Sequence, residues 1–599
     1  MLLRACHSII YPIVGNAKML ADITDRNTLI MKIKLFALLS TFTIFLSFTT
    51  FSQTTLVKGD TLVRSINYGD MQLYKVKIAK GNFYKLVIIQ NGIDIQIKLK
   101  SSGIKDSVFD SPNGTSGPEP VEFLATANGY ALLEVMPLND SSNTKRGEYT
   151  IKYLQQISAG EYTKMLKQRE AEKNEFVDWI KQNAVPLKTV KANSGFEDLD
   201  FLKPLLINKR VIGIGEATHG TKEFFKMKHR MLEFLVTQMG FTVFGIEASY
   251  GRCKYINDYV LTGKGNLDTA TVIQGFTTWS TEEVRDMIQW MRSYNETHPD
   301  KKVQFVGFDL QVNDEAEFAI SNYYKKVDAA KKQEVDSLLK QVAAAEKHGG
   351  IFSGDTTIRT LINPVQNLIC NFIEKEGNYI LKSNKQEYDE ILWSEKILHQ
   401  FLVSYSYNNF IETVKKEDRD FYMAQNILTW LSYFPKGTKI MIWAHNGHIA
   451  KDFLDAVAVP SMGSYLKEAL KDEYYAIGFD FYKGSFLSND IDLPNSVGWE
   501  KEAVGEAPEG NLSSYFVKAG LGNSFLDFSL TNQNDNIKQW LNDKIIGTYS
   551  MGSQFSKTWS SQQYIAPMKI HHAFDGVFFV KESNSAVPVK WLAINNYKF

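Results

Sequence analysis

Four short apolar runs in this chain end in an acid or a histidine. Val211-Ile-Gly-Ile214 leads into Glu216 and His219, and Val243-Phe-Gly-Ile246 into Glu247. Val303-Gln-Phe-Val-Gly-Phe308 leads into Asp309, and Ile440-Met-Ile-Trp443 into His445 and His448. Runs of this kind are typical of strands buried on both faces of a parallel sheet. Ligands of open α/β sheets bind beyond the carboxyl ends of the strands, so four such endings would converge on one rim. There, a histidine beside a carboxylate can hold one tautomer and deprotonate water, which then attacks a carbonyl carbon.

The same side chains admit other chemistry. Glu216, His219, Glu247, His445 and His448 offer enough nitrogen and oxygen for zinc or manganese, which would supply a metal-bound hydroxide. A non-catalytic cleft for a small molecule or haem is a third reading, and the completeness of the Glu/His set argues against it. No Gly-x-Ser-x-Gly elbow is present, and Glu247-Ala-Ser-Tyr-Gly251 lacks the first glycine. The His-Glu-x-x-His zinc signature is absent, and Gly213-Ile-Gly215 followed by Thr218 fails the dinucleotide fingerprint. What remains is acid/base hydrolysis without a protein nucleophile.

The segment after His219 has helical periodicity, with Phe224, Met231, Leu232, Leu235 and Met239 in one stripe. Lys228 lies within that stripe. It either snorkels past the packing or points to the carboxylates at the rim. Arg230 projects to the opposite side, the place of a solvated arginine, and His229 reads as a surface residue. Asp309 is balanced between substrate contact and a turn cap. His571 and His572 precede a strand at its amino end and read as structural.

These motifs together resemble one known family. Gly215-Glu-Ala-Thr-His-Gly-Thr221, Phe244-Gly-Ile-Glu-Ala248, Gly307-Phe-Asp-Leu310, Arg419-Asp-Phe-Tyr-Met-Ala-Gln-Asn426 and Trp443-Ala-His-Asn-Gly-His448 are similar to the erythromycin esterase family in order and spacing, from about Asn183 to Phe599. The resemblance implies that His219 is the general base, that Glu216 and Glu247 are its acidic partners, and that His445 and His448 help bind substrate and stabilise developing charge. It implies hydrolysis of a carboxylic ester or lactone, macrolides among them, without a cofactor. Lys228 departs from the pattern, where the family commonly carries arginine, and so loses the bidentate fork. Arg230 matches another basic position. Lys228, Arg230 and Asp309 are the expected substrate contacts, and macrolide resistance as a role rests on the family name alone.

Composition sets the surrounding bounds. Lys plus Arg equals Asp plus Glu at 67 each, so no net field favours nucleic acid or an anionic membrane. Three cysteines give no disulfide framework. Residues 31–52 read as a signal peptide, with two lysines, an apolar core and small residues before Gln53. The expected mature protein is exported, periplasmic or extracellular, with no integral membrane domain; an uncleaved anchor is the alternative. Residues 1–30 read as a mis-called upstream extension.

The elements that must position the site follow from pattern. Residues 55–156 show strand alternation, with Ile95, Ile97 and Leu99 strictly alternating and Leu73, Val76 and Ile78 only approximately so. They predict a small accessory β-sandwich for stability, docking or carbohydrate contact. Residues 157–183 predict a charged helical connector. From 184 to 599 strand and helix alternate, predicting an α/β catalytic domain with a mostly parallel sheet flanked by helices. Between Glu315 and Tyr433 the pattern is helical, predicting a cap inserted between two strands. Within it Arg419, Met423 and Asn426 share one helix face, as packing or as substrate contact.

Overall fold

The computed structural model describes residues 53–101, 104–110, 115–138, 146–348, 356–406, 418–452, 460–494, 496, 500–528 and 534–589. The signal-like segment 31–52 and the extension 1–30 lie outside the described residues. The chain divides into two compact units after Ala159.

The first unit is a β-sandwich. One sheet has five strands, Thr54–Leu56, Gln72–Ile78, Gly129–Pro137, Ile95–Ser101 and Ile104–Phe109. The other has four, Thr61–Asn67, Arg146–Ile157, Phe83–Asn91 and Ser116–Leu124. Side chains alternate between faces, so Ile95, Ile97 and Leu99 enter the core between the sheets. The alternation around Val76 is strict after all, because Tyr74 rather than Leu73 points inward. Burying a tyrosine requires a partner for its hydroxyl, and Tyr149 provides one at 2.6 Å.

The second unit begins with the helix Ala159–Asn183, the expected connector, which docks by Phe176, Trp179 and Ile180. Phe176 stacks on Trp540 and meets the edge of Tyr515. The sheet that follows is built from β1 (Val211–Ile214), β2 (Val243–Ser249), β3 (Gln304–Asp309), β4 (Ile440–Trp443), β5 (Tyr474–Asp490), β6 (Ser524–Asp527) and β7 (Gly576–Ser583). Their order across the sheet is β3-β2-β4-β1-β5-β7-β6. Among these seven all neighbours are parallel except β6, which runs antiparallel to β7. Three short strands extend the sheet, Val185–Pro186 antiparallel to β6, Glu500–Val504 antiparallel to β5 and Gln554–Phe555 parallel to β5. Both faces are covered: Val211, Ile440 and Ile442 join one core, and Ile212, Ile214, Met441 and Trp443 the other. This is why the runs read as continuous apolar stretches rather than alternating ones.

Four helices matter to the site, namely α1 (Lys222–Met239), α2 (Tyr250–Thr262), α3 (Arg419–Tyr433) and α4 (Asn446–Ile449). The helical insertion between β3 and β4 contains Asp314–Val327, Lys332–His348, Thr356–Glu374, Glu376–Lys382, Lys385–Tyr405 and α3. Its apolar faces join the core on one side of the sheet through Tyr324, Phe372, Leu398 and Ile427. Among the described residues no helix is long and apolar enough to cross a membrane.

Candidate functional site

The carboxyl ends of β1, β2, β3 and β4 bring Glu216, Glu247, Asp309 and His445 to one rim, since the four strands are neighbours in the sheet. Glu216 and His219 lie in the tight turn between β1 and α1. Two glycines make that turn feasible. A Cβ on Gly215 would collide with the Asn446 side chain, and Gly220 has φ +67° with a Cβ position 2.5 Å from the Leu487 carbonyl oxygen. Glu247 sits where the β2–β3 register shifts between Ile246 and Ser249. Such a bulge re-aims a side chain that would otherwise follow the strand alternation.

Glu216 is fully buried, and each carboxylate oxygen is engaged. Its Oε1 lies 2.5 Å from His219 Nδ1, and its Oε2 accepts from Lys228 Nζ at 2.6 Å and Trp443 Nε1 at 2.9 Å. Burial pushes the Glu216 carboxyl up, but Lys228 and His219 outweigh it and hold the group below the usual carboxylate range. An anionic Glu216 accepts the Nδ1 proton of His219, which leaves His219 Nε2 as the basic nitrogen. Lys228 is the residue that makes the buried carboxylate tenable. Burial lowers its own pKa to about 8, with Glu216 and Glu247 opposing the shift. Its ammonium also stands 4.1 Å from the Trp443 ring centroid, a cation–π contact.

A second cluster surrounds Glu247. Arg419, at the start of α3, forks onto Asp309 with Nε and Nη2 at 3.0 Å each, and Nη2 reaches Glu247 Oε1 at 2.7 Å. Burial works against charge on Glu247, yet His448 and Arg419 hold it well below the usual range. Asp309 is raised by burial, with Arg419 opposing. His448 sits between Asp420 (Nδ1 to Oδ1, 2.7 Å) and Glu247 (Nε2 to Oε1, 3.2 Å). Burial would lower its pKa, but those two carboxylates raise it to about 10, while Arg419 Nη1, a donor only, stands 3.1 Å from Nε2 and favours an unprotonated nitrogen there.

His445 is different. Its backbone N–H donates to Glu247 Oε2 at 3.0 Å, and its Nδ1 accepts from Gly447 N at 3.2 Å, capping α4. Burial, together with the neighbouring His219 and His448 imidazoles, lowers its pKa to about 3. It is therefore neutral, with the proton on Nε2, 3.4 Å from the Ala217 carbonyl oxygen. The ring centroids of His445 and His219 are 5.4 Å apart.

Of the three expected substrate contacts, Arg230 lies away from the rim, while Lys228 and Asp309 meet other side chains of the cluster. Arg230 is neither a solvated surface arginine nor at the rim: it is fully buried, paired with Asp198 at 2.5 Å, and donates to the Gly195 and Thr189 carbonyls. Its donors are spent on fixing that loop, away from Glu216 and His219. Lys228, in one of the two placements read from its helix stripe, is fully buried with its ammonium on Glu216 at the rim rather than snorkelling to solvent. Asp309 likewise spends its oxygens on Arg419 and the Leu310 N–H. His229 is buried as well, at 4% exposure, not on the surface.

Sequence pattern missed Trp443 as a donor to Glu216, Asp420 as the partner of His448, and Arg419 as the bridge between Glu247 and Asp309. Arg419 had a partial signal in the face shared with Met423 and Asn426. It also gave no sign of the segment 549–558, which clasps the turn between β1 and α1. Met551 N donates to the Ala217 carbonyl at 3.0 Å, and His219 N and Thr218 Oγ1 donate to Gly552 O at 3.3 and 3.4 Å. Lys557 anchors the segment on Asp490 at 2.9 Å and Glu502 at 3.1 Å. Among the described residues no three His, Cys, Asp or Glu side chains are grouped to hold a metal ion.

Comparison with known proteins agrees with this architecture. Residues 236–583 match the family described as Erythromycin esterase. The chain is 25% identical to YbfO of Bacillus subtilis (strain 168) over 447 residues, 70% of this chain and 94% of that protein. It is 23% identical to Erythromycin esterase type II of Escherichia coli over 438 residues, 68% of this chain and 98% of that protein. A Bacillus cereus protein of known crystal structure superposes with a TM-score of 0.60 at 24% identity, covering 70% of this chain and 99% of that one.

Proposed function

The chain belongs to the erythromycin esterase family of hydrolases, and we propose that it cleaves a small-molecule carboxylic ester or lactone with water activated by His219. The observation that carries this reading is the 2.5 Å bond between Glu216 and His219, in which the carboxylate is itself locked by Lys228 and Trp443. Glu216 fixes the tautomer and ring orientation, and Nε2 removes a proton from water as its oxygen attacks the carbonyl carbon. The carbonyl electron pair moves to oxygen, and the neutral His445 turns its Nε2–H from its long 3.4 Å contact with the Ala217 carbonyl to hydrogen-bond that developing charge, keeping the proton. Collapse of the tetrahedral species expels the alcohol oxygen, which takes the proton from His219. The products are a carboxylic acid and an alcohol, or a hydroxy acid from a lactone, and no cofactor is consumed.

The cluster of Arg419, Glu247, Asp309 and His448 contributes by fixing the backbone of His445 through Glu247. The test is hydrolysis of a panel of simple esters and macrolide lactones by purified protein, with and without a chelator. Wild type should turn over at least one class at a rate that chelator leaves unchanged. His219→Ala should lower kcat by about 10² or more, the usual worth of a positioned general base. A His219→Ala enzyme that keeps a tenth of the wild-type kcat would remove the residue from this role.

A further inference from the structure

Trp279 closes the turn Thr277–Trp279 and is 3% exposed. Its ring meets that of His219 edge to face, with centroids 5.7 Å apart and planes at 84°. Phe276 packs against it at 5.6 Å, also edge to face. The indole Nε1 is buried and has no acceptor among the described residues. Two other buried indoles of this unit are satisfied: Trp443 Nε1 donates to Glu216 at 2.9 Å, and Trp430 Nε1 donates to the Gly307 carbonyl at 3.0 Å. An indole N–H is a donor only, and leaving it unmet in a buried position costs stability that a phenylalanine ring would not. Among the described residues, the one buried indole N–H without an acceptor belongs to the tryptophan that lies against His219.

We propose that Trp279 is a substrate-binding residue whose indole N–H donates to an oxygen of the ester or lactone group held at His219. The proposal rests on the reading of His219 given above. A carbonyl attacked by water on His219 Nε2 must lie within about 3–3.5 Å of that water, which brings its oxygens into the neighbourhood of the ring that contacts His219. The bond strengthens as the carbonyl oxygen gains charge, so the donor acts mainly on the transition state. His445 Nε2 is the second donor available there, and the two differ in kind. The indole N–H does not titrate, whereas the histidine donates only in its neutral tautomer.

The experiment compares wild type with Trp279→Phe, which keeps an aromatic ring and removes the N–H. With p-nitrophenyl acetate as substrate, kcat should fall by about 10- to 100-fold, somewhat less than the loss of a sole oxyanion donor, while Tm is unchanged or higher. In parallel, wild-type protein carrying ¹⁵N-indole tryptophan is titrated with phenyl methylphosphonate, an anionic tetrahedral mimic. The Trp279 resonance, assigned by its disappearance in Trp279→Phe, should move downfield. Wild-type kcat and KM in Trp279→Phe, or an indole resonance that stays in place at phosphonate concentrations that shift its neighbours, would overturn the proposal. If wild type turns over no ester or lactone of the panel above, the reading of His219 fails instead, and the phosphonate titration still decides the donor.

Discussion

Lys228 is the residue on which the charge balance of the site turns. Glu216 is fully buried, and an ionised carboxylate in such a place needs a cation or it takes up a proton. Lys228→Met removes that cation and should destabilise the protein by about 3 kcal/mol, the low end for breaking a buried pair, while protonated Glu216 no longer orients His219. Both Tm and kcat should fall. The pH dependence separates charge from packing. The folded protein releases the Lys228 proton near pH 8, while the unfolded lysine holds it to about 10.4. The unfolded chain therefore binds more protons across that window, and this residue's contribution makes stability rise with pH there. Activity moves the other way, because Glu216 loses its cation. The prediction is a loss of kcat/KM above about pH 8 without a matching fall in Tm, with the alkaline limb moved upward in Lys228→Arg, whose guanidinium stays charged. An alkaline limb unchanged in Lys228→Arg would detach it from Lys228. Glu216, His219, Glu247, Asp309, His445 and His448 were visible in sequence because each follows an apolar run. Trp443 and Trp279 were not, since an indole among apolar residues looks like core, and only the fold shows what meets its nitrogen.

At the scale of elements, the strand ends were legible and the contacts that rigidify the turn between β1 and α1 were not. α1 shows the limit of periodicity. A one-stripe reading places Arg230 and His229 on the surface, but the helix is buried nearly all round, from Phe224 to Val236. Arg230 then needs Asp198, which lies 32 residues earlier in the chain. The clasp over the catalytic turn is still more remote in sequence, since Gly552 meets Thr218 across 334 residues. Lys557 reaches two carboxylates that are nearly inaccessible, Asp490 and Glu502 at 1% and 3% exposure. Asp492 reinforces the same segment by accepting from Ser556 Oγ and Lys557 N. Removing the ammonium with Lys557→Ala leaves those carboxylates facing one another and loosens the segment bonded to His219 N. The expected result is a fall in kcat of about 10-fold, in the range that small misplacements far from the chemistry produce, with KM changed much less and Lys557→Arg restoring most of the rate. Equal losses in kcat and Tm that Lys557→Arg does not repair would mark the ion pair as a general support.

For the whole molecule, the sandwich and the α/β unit have separate hydrophobic cores, and every residue placed in the site belongs to the second. Units with their own cores can fold alone. Residues 160–599 expressed without the sandwich should therefore hydrolyse the same small esters with an unchanged kcat/KM, and the first unit would then act on delivery, adhesion or a larger substrate. Export belongs to this scale too. We propose that the apolar segment before Gln53 is removed on secretion, because an apolar core behind two lysines and ahead of small residues is what signal peptidase recognises. The Thr54–Leu56 strand pairs with Gln72–Ile78 directly after that point, so a cut at Gln53 leaves the sandwich intact. A cut a few residues further on would remove Leu56, 2% exposed in the sandwich core. Mass spectrometry of protein from the native cell should find a mature amino terminus at or within a residue or two of Gln53. A terminus at Met31 in membrane-bound protein would replace the signal with an anchor.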